Sequence, residues 1–378
     1  MSPSPWRARL AVATVFFANG AGFASLVPHI PSVQSQLDLR PSVLGLALLA
    51  MAAGALCGIP LSGFCTSRFG SRAVVHVTAA AFFAALPLPI AAPSLALLVP
   101  ALFILGAANG ALDVSMNTQA VGVEAKWPTP ILSSFHGLWS LGGLVGAGIA
   151  ALTLRAGIAP LTHVIGATVV FGASALVACR SLLPRTADPH DDGPRFVRPT
   201  RALATLGLIA LLALMSEGAM GDWSAVYIRN TLGADAATAA LGFAAFAGAM
   251  AVGRFLGDAI VARFGDARVV RWATTMAAIG FGTALLVGTP RAAIIGCAVV
   301  GLGLSNLVPI VFRTASHVPG VPASHGIAAV GTTGYAGFLA GPPLIGLAAE
   351  GVTLAGALWI IVAALTWIAF LTRGLPQR

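Results

Sequence analysis

The sequence predicts an all-α membrane protein of twelve transmembrane helices in two pseudo-symmetric six-helix bundles. Three observations carry this. Hydrophobic residues make up 57% of the 378-residue chain and charged residues only 9%, too little charge to clothe a water-soluble surface of this size. The chain also repeats itself. Gly58, Arg68 and Gly70 recur as Gly253, Arg263 and Gly265, and Gly142 and Gly146 recur as Gly337 and Gly341, an offset of 195 each time. Finally, a polar stretch of 20 residues, from Leu183 to Ala202, separates the two copies.

A helix needs about 20 apolar residues to cross the hydrocarbon core. Six such runs precede the polar stretch, at 9–30, 42–65, 73–92, 95–120, 130–153 and 160–182. Six more follow it, at 203–228, 237–262, 269–288, 291–315, 323–348 and 353–373. Only Ala92, Pro93 and Ser94 part the third run from the fourth. Pro309, Pro342 and Pro343 are expected to bend the tenth and eleventh spans. The 44 glycines suit helices that approach closely where no hydrophobic force joins them. The division is therefore a bundle over 1–182, a flexible linker over 183–202 and a second bundle over 203–378.

Twelve spans put both termini on one side of the bilayer. With the N-terminus cytoplasmic, seventeen of the 21 basic residues fall on the inner side, and only Arg40, Arg155, Arg229 and Arg291 on the outer. This positive-inside bias predicts cytoplasmic termini in a bacterial inner membrane. The net charge of +9 is thus a matter of topology and does not point to nucleic acid. Cys57, Cys65, Cys179 and Cys297 lie in or beside apolar segments with no CxxC spacing, so neither a disulfide framework nor a metal site is expected. No cofactor is implied. Arg7 and Arg9 precede a full-length span, which argues against a cleaved signal peptide.

An apolar chain built from one duplicated half has the organisation of a secondary transporter, with two membrane halves facing each other across a substrate path. No Walker loop offers ATP-driven transport. An embedded enzyme would need a paired carboxylate site or a metal cluster. The scattered His29, His76, His163 and His317 do not have ligand spacing.

The pattern Gly63–x4–Arg68–x–Gly70–x–Arg72 between the second and third spans, with the six-plus-six repeat, resembles the major facilitator superfamily over essentially the whole chain. That family's loop carries an acid just before the arginine. Here Ser67 stands there, and Ala262 in the second copy, with Asp258 nearby. The resemblance implies gating roles for Arg68, Arg72 and Arg263, with Asp258 supplying a contact to Arg254 or Arg263. The segments Asp113–Glu124, Ser133–Gly143 and Glu217–Trp223 resemble the YbjJ-like branch of bacterial inner-membrane facilitators, related to the fucose/proton symporter group.

Ionisable side chains inside spans are costly and therefore candidate functional groups. Glu217 lies about 15 residues into the seventh span and is the first candidate for proton coupling, with a structural hydrogen-bonded acid as the alternative. Asn109, Asp113 and Asn117 recur every four residues and form one polar stripe, which lines either a cavity or a helix seam. His136 is placed to exchange protons with Asp113, and Trp139 to stack on a solute or pack on glycine. Asn19 matches Glu217 at an offset of 198 and is expected to line the same pocket. Asn306 and Tyr335 are mid-depth polar groups with an even claim on substrate. Asp222 and Trp223 read as an outer gate or interfacial anchor. Arg313 is expected to pair with Asp113 or Glu124, or to snorkel to headgroups.

These readings converge on a monomeric, proton-coupled carrier of a small polar solute by alternating access. The fucose kinship points to a sugar or organic acid. The alternatives are a drug or metabolite antiporter and a sensor that binds solute without moving it.

Overall fold

The computed structural model describes residues 4–128, 131–185, 200–315, 317–319, 321 and 323–372. The linker expected over 183–202 falls mostly outside them. Every helix and strand assignment among the described residues is helical. The first half comprises α1 (Pro5–Leu26), α2 (Ile30–Gln36), α3 (Pro41–Phe69), α4 (Ser71–Ala85), α5 (Leu88–Ala91), α6 (Leu95–Glu124), α7 (Leu132–Arg155) and α8 (Pro160–Ala178). The second comprises α9 (Arg201–Val226), α10 (Ala236–Phe264), α11 (Asp266–Val287), α12 (Pro290–Leu304), α13 (Leu307–Ala315), α14 (Ala323–Val352), α15 (Leu354–Ala357) and α16 (Trp359–Leu371).

The helices start and stop where local chemistry dictates. Pro5, Pro41, Pro160 and Pro290 open α1, α3, α8 and α12, positions where a missing N–H costs nothing and φ is already helical. Gly70 and Gly265 end α3 and α10 at φ 85° and 81°, a backbone region that favours glycine. Pro28 lies in the 3-10 turn that carries α1 into α2, and Pro31 in the first turn of α2. Among the described residues, eleven stretches are long and apolar enough to cross a membrane. The remaining expected span, 323–348, is the 30-residue helix α14. Its Thr332, Thr333, Tyr335, Pro342 and Pro343 dilute its apolar content.

Helices pack through glycine. Gly54 and Gly58 of α3 lie against the backbone of Phe103 and Ala107 in α6, while Gly106 and Gly110 of α6 lie against Met51 and Ala55 in α3. Gly142 and Gly146 of α7 meet the α1 backbone at Phe17 and Ala21, and Gly337 of α14 meets α9 at Leu211. A methyl at these points would enter a neighbouring main chain. One buried core fills the first half. A second fills the other half and takes in Leu44, Leu48 and Ala147. The halves meet along two seams, α3 with α14 and α7 with α10.

Candidate binding cavity

A cavity of about 240 Å³ lies between the halves. Its first-half wall is a neutral hydrogen-bonded chain. Trp139 donates its indole N–H to Asn19 Oδ1 at 2.8 Å, and Asn19 Nδ2 donates to Asn109 Oδ1 at 2.9 Å. Three helices, α1, α6 and α7, are thereby fixed by groups that would otherwise be buried without partners. One turn further along α6, Asp113 accepts from Asn117 Nδ2 at 3.1 Å and from the Tyr335 hydroxyl of α14 at 3.0 Å. The second of these bonds crosses from one half to the other.

The second-half wall is ionic. Glu217 on α9 faces Arg254 on α10, with Nη2 3.6 Å from Oε1, and both side chains are almost wholly enclosed. Arg254 Nη1 also donates to Ser140 Oγ of α7 at 2.6 Å and to the His136 carbonyl at 3.4 Å. A charge in this setting has to be paired, and this one is paired within its half and anchored to the other.

The remaining candidates separate clearly. Asn19, Asn109, Asp113, Trp139, Glu217, Asp222 and Tyr335 all line the cavity. Asn117 stands behind Asp113. The His136 ring packs edge-on to Phe16, 5.4 Å between centroids, and the two oxygens of Asp113 are held by Tyr335 and Asn117, so the expected His136–Asp113 contact does not form. Asn306 bonds the Gly253 carbonyl at 2.8 Å. It sits in the break between α12 and α13, where Pro309 cannot donate to the Ser305 carbonyl, and it fastens that break to α10. Trp223 is fully buried and Asp222 is 8% exposed. Neither is an interfacial anchor. Helix α9 turns both inward, away from lipid.

Residues 12–342 match the profile of the Major Facilitator Superfamily. The chain belongs to this superfamily. It is 38% identical to an uncharacterised MFS-type transporter of Yersinia pestis, over 96% of this chain and 94% of that protein. It is 34% identical to membrane protein MosC of Rhizobium meliloti, over 93% and 86%. Among solved structures it is similar to the nucleoside transporter NupG in its D323A mutant form, with a TM-score of 0.77 and 11% identity over 96% and 98% of the two chains. That likeness concerns the fold.

The superfamily's loop motif is rewired here. In the first-half loop, main-chain carbonyls hold two arginines. Arg72 donates to the Arg180 carbonyl at 2.7 Å, and Arg185 to the Ser67 carbonyl at 3.0 Å. Gln119 of α6 bonds Ser71 Oγ at 2.5 Å and both the N–H and the carbonyl of Leu183. Arg68 and Arg263 lie over the rings of Phe69 and Phe264. Arg313 approaches Asp266 at 3.8 Å and not Asp113 or Glu124. Glu124 instead accepts from the N–H groups of Ile131 and Leu132 at 2.6 and 2.7 Å, capping the start of α7. The side chain of Asp258 lies outside the described residues.

Sequence reasoning missed the Glu217–Arg254 pair, Ser140 and the apolar lining from Phe23, Phe243, Phe246 and Phe338. Arg254 was legible as a second charge within a span. Its place in the repeated motif suggested a gate instead.

Proposed function

We propose that this protein moves a small polar solute across a bacterial inner membrane by alternating access and couples that movement to protons through Glu217. The observation that carries the reading is the enclosed pair that cavity-lining Glu217 makes with Arg254. A proton on Glu217 cancels its attraction for Arg254. Arg254 is also bound to Ser140 and His136 of α7, so protonation alters the α7–α10 seam on which the halves must rock.

The halves are tied at the end that carries His29. There Arg229 donates to Ser32 at 2.7 Å, Asn230 donates to Gln34 at 2.9 Å, and Ser42 bonds Glu350. With the orientation given by the arginine bias, these ties between the bundles 1–182 and 203–378 lie on the outer side. Kinship with the YbjJ-like and fucose/proton symporter groups belongs to this proposal, as does a monomer.

The test is proton movement into liposomes that contain a pH dye, with solutes screened on the wild type and Glu217→Gln. A solute-dependent signal that disappears in the variant is expected. An unchanged signal in Glu217→Gln would move the coupling role to Asp113. Solute flux without any proton signal would make the protein a uniporter.

A further inference from the structure

We propose that the cavity selects an organic cation, a protonated amine or quaternary ammonium compound, with Asp222 as its counter-ion. This rests on the cavity being the transport site and gives that site its substrate class. Asp113, Glu217 and Asp222 line the cavity, and among the described residues no basic side chain lines it with them. Two of these acids are already engaged. Asp113 holds Asn117 and Tyr335, and Glu217 faces Arg254. Asp222 is different. It is 8% exposed, it opens into the cavity, and no hydrogen bond or ion pair reaches it among the described residues. An enclosed carboxylate without a partner is expensive unless something that visits the site completes it.

The surroundings of Asp222 favour a positive visitor. Phe23 lines the cavity with it from one half and Phe243 from the other, and the Phe23 ring lies 6.5 Å from Trp139 between centroids. Aromatic faces attract ammonium groups most strongly where water is excluded. The polar groups also bias the choice. The Trp139 N–H goes to Asn19, the Tyr335 hydroxyl to Asp113 and the Asn19 amide to Asn109. These three donors are spent within the wall, and the unpaired Asp222 carboxylate beside aromatic faces suits a ligand that brings N–H groups and charge. An organic anion would meet three carboxylates. The nearby cation Arg254 is held by Glu217, Ser140 and His136. A volume of about 240 Å³ falls just below the usual span of ligand pockets, roughly 300–1,000 Å³, so the cation is small. A cation and a proton that use carboxylates of one cavity oppose each other, which makes exchange of the two the natural mode of coupling.

The experiment is calorimetric binding to the full-length protein in nanodiscs with two matched sets: 2-phenylethylamine, 2-phenylethanol and phenylacetate, and glucosamine, glucose and gluconate. In at least one set the amine is expected to bind about tenfold or more tighter than its neutral and acidic partners, a gap of the size a charge-assisted contact gives. Asp222→Asn should erase that preference while eluting as a monodisperse peak that melts near the wild type, and Asp222→Glu should keep it. Tighter binding of a neutral or acidic member, no preference, no amine binding in either set, or a preference that survives Asp222→Asn each overturns the inference. The same compounds run in the proton-flux assay separate this failure from that of the transport reading. Glu217-dependent flux driven by neutral solutes alone keeps the transporter and discards the cation. Asp222-dependent amine binding with no flux does the reverse.

Discussion

The two halves share a steric frame and differ in their chemistry. Helices α3 and α10 are both 29 residues long and both end on a glycine of positive φ. Gly142 of α7 rests on the α1 backbone as Gly337 of α14 rests on the α9 backbone. Against these matched frames, α1 presents Asn19 and α9, about one turn further along, presents Glu217. Asn19 is closed into a neutral network with Asn109 and Trp139 of its own half. Glu217 is held by an arginine that also grips the other half. A neutral amide network looks the same before and after a proton arrives, whereas an ion pair does not. Duplication supplied the scaffold, and the responsive chemistry sits on one side of it.

The largest effect should come from breaking the ionic side. Arg254→Met leaves Glu217 enclosed without a partner and is expected to cost about 3–5 kcal/mol, the range for a buried pair that loses one member. The double variant Arg254→Met with Glu217→Met should recover much of that loss. On the neutral side, Asn19→Ala strands the Trp139 N–H and the Asn109 carbonyl and should cost about 1–3 kcal/mol. Thermal unfolding of the purified variants ranks them. If Asn19→Ala is as damaging as Arg254→Met, the contrast between a neutral and an ionic half is lost.

The shared frame is tested with glycine. In Gly142→Ala and Gly337→Ala the new methyl would enter a neighbouring backbone. Each should cost about 1–3 kcal/mol, as overpacking does, and the two losses should match. Gly63→Ala, with open space around it, should leave stability within about 0.5 kcal/mol of the wild type. Unequal losses at Gly142 and Gly337 would show that the repeat in sequence is not a repeat in packing. A loss at Gly63 would mean that open space at a glycine does not by itself mark a tolerant position.

The frame was legible because it rests on local rules. Apolar run length gave the spans, and the matched glycines at 142, 146, 337 and 341 marked where helices touch. The polar stripe of Asn109, Asp113 and Asn117 follows from helical spacing alone. The chemistry of the site was less legible because it depends on which helices become neighbours. Arg254 sits in the same repeat as Arg263, and nothing in its own helix says that it turns to Glu217 on α9. Asp222 and Trp223 lie near the end of a span, where acids and tryptophans usually meet headgroups. Only the tertiary packing of α9 turns both inward. Asn306 looked free to meet solute, yet the break before Pro309 brings it onto α10.

A last contrast lies at the starts of the two 29-residue helices, where the halves solve one problem in different ways. Residue 40 is an arginine that makes no side-chain cap, and Pro41 at the first helical position removes one unsatisfied donor. The equivalent residue 235 is an aspartate. Its carboxylate accepts the Thr238 N–H at 2.9 Å and the Thr238 hydroxyl at 2.6 Å. The hydroxyl bond first, and then the N–H bond, hold Asp235 below the usual carboxylate range. Its stabilising effect is therefore complete above the unfolded-state value and is lost as the pH falls through the lower folded-state value. Asp235→Ala is expected to cost about 1 kcal/mol at neutral pH, as other N-cap removals do, and the exposure of the site keeps the effect near or below that figure. The gap in melting temperature between wild type and variant should narrow in acid. A gap that is constant with pH would mean that Asp235 shapes the turn without acting as a charged cap, and that the start of α10 depends on backbone geometry as the start of α3 does.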